Sequence, residues 1–253
     1  VLMGATLPVL TRLLAKNASD AGLKLSKLYA INTFGAVTGV LVTGFFLIGR
    51  FGVHVPVYLA AAGNLLVGLW AMVIAGRLSL EPRQPRFAHE DGPIRTLSAS
   101  MHRLMLIGLG VSGFTSFAYE IYWTRSLVFI LGNSTYALTT MLSAFLTGIA
   151  LGGWIIRYVM ARAVDRVITF GLIQVFLGIL SALALPLLFS ISDPQSLNRY
   201  VLSASSDAFA LLLTGYAVAF LVMLVPAILI GMTFPLVGSL GIRSRDRAGA
   251  AVG

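Results

Sequence analysis

Residues 119–125, Tyr-Glu-Ile-Tyr-Trp-Thr-Arg, put a carboxylate, a guanidinium and three large aromatics into a run that is apolar on both sides. A carboxylate at the centre of a bilayer costs about 2.5–3.5 kcal/mol on insertion scales. Glu120 is therefore expected to face other helices and to need a donor. Arg125 lies five residues on, outside the spacing of three or four at which helical side chains meet. It is expected near the outer interface, with its head reaching water. Tyr119 and Trp123 can donate hydrogen bonds, and Trp123 is one helical turn from Glu120. Two readings of Glu120 stay open: a cation or proton site in a central cavity, or a buried anchor that locks two helices or pairs with a charge on another helix. His54, His89 and His102 have no metal-ligand neighbour one turn away, and no nucleophile–base pair occurs. Neither a metal nor any other cofactor is expected in this chain, and no residue in it is assigned a catalytic role.

Other polar and small residues sit in apolar runs. Asn32, Asn64 and Gln174 are expected to hydrogen-bond across helices. Gly35, Gly39 and Gly44 are read as one close-packing face, and Gly148, Gly152 and Gly153 as another, because helix association in lipid depends on small residues. The phrases GATLPV, with Gly4 and Pro8, and GMTFPL, with Gly231 and Pro235, are expected to break or kink helices. A broken helix exposes backbone groups to a substrate. The alternative is a helix end or kink whose carbonyls Thr6 or Thr233 satisfies.

The elements that must position these residues follow from composition. The chain is 58% hydrophobic and only 11% charged, too little charge to cover a water-soluble domain of this length. A bilayer core of about 30 Å needs roughly 20 apolar residues per helix. Runs of that length recur at 28–49, 55–76, 104–131, 136–156, 167–190 and 208–237. The expected class is an all-α, polytopic membrane protein, with the lipid bilayer as its first partner. The net charge of +9 would suggest nucleic acid in a soluble protein. Here the Lys and Arg residues alternate by loop: all except Arg50, Arg125 and Arg199 fall on one side. Nucleic acid is therefore not expected as a partner, and the basic loops are expected to be cytoplasmic. Tight turns are expected at GRFGVH and GNST, and basic loops at 11–27 and 157–166. A Pro-rich linker at 77–103 would divide the chain. The absence of cysteine excludes disulfides and thiolate sites. The first residue is Val1, and the chain is read as part of a longer protein.

An internal repeat refines the picture. LMGATLPVL at 2–10 matches LIGMTFPLV at 229–237 in its Leu, Gly, Thr and Pro, and FGAVTG at 34–39 matches AGAAVG at 248–253 in Gly, Ala and Gly. Matched phrases in the same order indicate duplication. The expected architecture is two parallel six-helix repeats, as in transporters of the major-facilitator type. Residues 1–76 would end the first repeat, 77–103 would link the two, and 104–253 would form most of the second.

The sequences GFTSFAYEIYWTRSLVFILGNSTYALTTMLSAFLTGIALGG, LIGMTFPLV and LYAINTFGAVTGVLVTGFFLIGRFGV resemble the membrane portion of bacterial spermidine synthase-like proteins, with YE-x-x-W-x-R followed by LG-x-S the most distinctive part. The resemblance implies a bacterial inner-membrane location and a soluble aminopropyltransferase domain C-terminal to the membrane domain. That domain would carry the Gly-rich nucleotide loop and the acidic polyamine site, neither of which occurs here. Two other functions compete. One is a transporter-like protein for a small cation or polyamine, with Glu120 near its cavity. The other is an accessory subunit whose helices contact other membrane-protein subunits.

Overall fold

The computed structural model describes residues 6–7, 9–11, 18–77, 99–131, 134–162, 165–192 and 208–241. Among these the fold is helical, with no strand. Helix α1 runs over Ala18–Leu41 and continues through one wide π-helical stretch, Val42–Leu47, into a last turn, Ile48–Phe51. Helices α2 (His54–Arg77), α3 (Ala99–Leu131), α4 (Thr135–Ala161), α5 (Arg166–Ser192) and α6 (Ala208–Gly241) follow. Among the described residues five of the six contain a stretch long and apolar enough to cross a membrane, and α3 is 33 residues long.

Local chemistry sets the helix ends. The turn at GRFGVH forms at Gly52, whose φ of 72° is a left-handed value that glycine adopts without a Cβ penalty. Ser134 caps α4 by accepting from the Ala137 N–H at 3.1 Å. Asp165 caps α5, accepting from the N–H groups of Val167 at 2.8 Å and Ile168 at 3.2 Å.

Three expectations about the elements need correction. Lys24 and Lys27 lie within α1, not in a loop, because Leu25 and Ser26 are buried there and extend the inward face of the helix. Likewise α4 continues to Ala161, past the expected end of its span at Ile156, since Val159 and Met160 pack against the core beyond it. The third concerns α6, which is one continuous helix through Pro226, Gly231 and Pro235 and is not broken at the GMTFPL phrase. Thr233 donates its hydroxyl to the Ile230 carbonyl at 2.7 Å, and Pro235 is buried; neighbouring helices and Thr side chains can accommodate proline in this way. Gly4 and Pro8, most of the expected linker, and the second repeat phrase at 248–253 lie outside the described residues.

Packing is tightest between α4 and α6, which run parallel. A methyl group added at Gly152 would collide with the Ile228 carbonyl, one at Gly231 with the Ile149 backbone, and one at Gly148 with Ala227. Gly148 and Gly152 on α4 thus face Ala227 and Gly231 on α6, a pair of small-xxx-small motifs that lets the two backbones touch. Helix α1 crosses both in the opposite direction. Ser26 donates to the Gly153 carbonyl, the Tyr29 ring sits 5.2 Å from that of Phe234, and the Phe45 ring stacks on Tyr136 at 5.8 Å. Gly44, in the π-helical stretch, is filled against by Thr139.

The same contacts fix which ends lie together. Gly22 lies against Ser239, Arg166 reaches the Ser239 carbonyl at 3.3 Å, and Lys24 and Lys27 share a cleft with Arg157. The N-termini of α1 and α5 therefore meet the C-termini of α4 and α6 at one basic end of the bundle.

Candidate functional site

Along α3 the inward face reads Ser112, Ser116, Tyr119 and Trp123, the 4-3-4 rhythm of one helical stripe. Trp123 is 1% exposed and packs in a cluster with Met141, Phe145, Leu177 and Met223 from α4, α5 and α6. Tyr119 stacks on Trp123 with ring centres 5.6 Å apart and planes 17° from parallel. The structure thus brings two of the singled-out residues together as one aromatic wall.

Glu120 is partly buried at the edge of that wall. No hydrogen bond or ion pair of its carboxylate is found among the described residues. Arg125 is exposed and makes no pair with it, as the five-residue spacing requires. Asn32 faces outward on α1, not across to another helix. The reason is helical phase: the buried positions of α1 are Ser26, Ala30, Thr33 and Val37, which turn residue 32 away. That phase also leaves Gly35 and Gly39 with open space beside them, so of the expected first glycine face only Gly44 packs. Asn64 lies on α2, which has no buried residue. Gly231 and Pro235 sit in α6 beyond Met223, toward the basic end. Pro235 is about 18 Å from Met223 along the helix axis at 1.5 Å per residue, so these two residues do not join the Glu120 neighbourhood.

Gln174 fulfils its expected role. It donates from Nε2 to the Ser112 hydroxyl at 2.8 Å, joining α5 to α3. Ser116 in turn donates to the Ser112 carbonyl at 2.6 Å. About two turns beyond Gln174 on the same face of α5, Ser181 is buried with an unpaired hydroxyl among the described residues. Ser112, Ser116, Gln174 and Ser181 form a polar seam between α3 and α5 that leads toward Tyr119 and Glu120. Its serines were not among the expected polar contacts. The available signal was the four-residue spacing of Ser112 and Ser116, seven and three residues before Tyr119.

The arrangement sets a partly buried carboxylate beside a pair of stacked aromatic rings, with hydrogen-bonded serine hydroxyls one and two turns back along α3. It offers no activated nucleophile, and no group of three or more His, Asp or Glu residues that could hold a metal occurs among the described residues. Comparison with known proteins finds no matching family model, no matching curated protein and no matching solved structure.

Proposed function

We propose that this chain is part of the integral membrane domain of a bacterial spermidine synthase-like protein, with its basic helix ends in the cytoplasm of an inner membrane. Helices α1 and α2 would close the first of two major-facilitator-like repeats, and α3 to α6 would belong to the second. The observation that carries this reading is the gathering of the basic helix ends. Lys24, Lys27, Arg157 and Arg166 meet at one end of the bundle, the arrangement expected of a cytoplasmic face and the side on which a soluble transferase domain would be presented. Sealing of α1 against α4 and α6 by Ser26, Tyr29 and Gly44 supports a close union of the two repeats.

A second reading, a carrier of a small cation or polyamine, is favoured by one feature. Glu120 offers a carboxylate with no protein partner among the described residues, beside the Tyr119–Trp123 stack. Rings of this kind attract cations.

One experiment separates the two. The full-length protein is expressed, membranes are isolated, and aminopropyl transfer to a polyamine is assayed alongside uptake of labelled polyamine into vesicles. Transfer activity in the membrane fraction is the expected result. Uptake that Glu120→Gln abolishes, without transfer, would replace the first reading by the second. Recovery of the protein in the soluble fraction would overturn both.

A further inference from the structure

Lys24 and Lys27 are three residues apart near the start of α1 and so share one face. Arg157 and Tyr158 come from the last turns of α4, which runs the other way beside it. With Leu23 and Ala161 they line a cleft of about 300 Å3 at the basic end of the bundle, and no acidic side chain is among those lining residues.

Arg157 is held in place there. Its guanidinium carbon lies 5.0 Å from the centre of the Trp154 ring and 4.5 Å from that of Tyr158, and it donates to the Tyr158 hydroxyl. Its Nε is buried and has no acceptor among the described residues. A planar guanidinium held against two rings, with further N–H groups beyond the one given to Tyr158 and two ammonium groups opposite, is suited to an oxyanion. Phosphate is the oxyanion that such a set binds best, because arginine can pair with two of its oxygens while lysines supply point charge.

The setting identifies the source of the phosphate. Trp154 and Tyr158 are 41% and 50% exposed on the final turns of an apolar helix, the level at which aromatic belts meet lipid head groups. Leu23 and Ala161 give the cleft an apolar side against which a glycerol backbone can rest. We infer that this cleft binds the phosphoryl head group of an anionic lipid at the basic face of the membrane, the chemistry that basic pockets between helix ends serve. This stands apart from the polyamine reading and survives its failure.

The test uses the full-length protein in nanodiscs of mixed phosphatidylglycerol and phosphatidylcholine, followed by native mass spectrometry of the lipid retained on release. Wild-type protein is expected to retain phosphatidylglycerol preferentially, and each cation removed is expected to weaken retention roughly fivefold. Lys24→Gln with Lys27→Gln probes the cleft without touching the ring-held arginine, and Arg157→Gln completes the series. Unchanged retention in the lysine double variant would overturn the inference. Added inorganic phosphate, at an ionic strength matched by chloride, separates the sources. No displacement supports a lipid ligand, and displacement by phosphate alone would overturn it in favour of a soluble phosphate compound.

Discussion

A carboxylate partly removed from water, with no donor to meet it, raises the free energy of the fold. Glu120 is in that position among the described residues, whereas an anchoring role requires a partner on another helix. Glu120→Gln keeps the shape and removes the charge. The variant is therefore expected to be as stable as the parent or more stable by up to about 1 kcal/mol, well below the full insertion cost of a central carboxylate. Thermal unfolding of the full-length protein in detergent, followed by size exclusion, measures this. A loss beyond about 1 kcal/mol would reveal a partner and restore the anchor role. The aromatic character of the site was legible at Tyr119 and Trp123, since their four-residue spacing permits a stack on any helix. The exposure of Asn32 was not legible, because a single asparagine in an apolar run carries no mark of the direction it faces.

At the level of elements, the close approach of α4 and α6 depends on the absence of side chains at two points. Gly152→Ala and Gly231→Ala each drive a methyl into the backbone of the facing helix and are expected to cost about 1–3 kcal/mol as overpacking. Gly35→Ala and Gly39→Ala meet nothing within 4 Å and are expected to change stability by no more than about 0.5 kcal/mol. Comparing unfolding midpoints of the two pairs checks the assignment, and equal effects would refute it. Gly35 and Gly39 have the same four-residue spacing as Gly148 and Gly152, so the pattern alone could not tell the packed glycines from the open ones. The difference arises in α1, where the buried stripe through Ala30, Thr33 and Val37 leaves Gly35 and Gly39 behind it. The π-helical stretch then brings Gly44 onto Thr139.

For the whole molecule, the convergence of basic ends makes a prediction about sidedness. The chain contains no cysteine, so single cysteines report position without interference. Arg162→Cys, just past α4, is expected to react with a membrane-impermeant maleimide from the cytoplasmic side. Arg50→Cys, in the last turn of α1, is expected to react only from the opposite side. Labelling of both from one side would break the proposed topology. The boundaries of the spans were largely legible, because runs of about 20 apolar residues leave the backbone little choice but helix in lipid.

What the sequence determined by itself is the class of the molecule: long apolar helices and the turns between them. These follow from solvent and length, which act on each segment separately. Tertiary structure decided which faces meet. It directed Gly152 onto Ile228 but left Gly39 open, joined Gln174 to Ser112 while turning Asn32 outward, and drew Lys24, Lys27 and Arg157 from two helices into one cleft. The physical reason is that burial in a bundle depends on the rotation of each helix about its own axis. That rotation is set by the neighbours and is not written in any one segment.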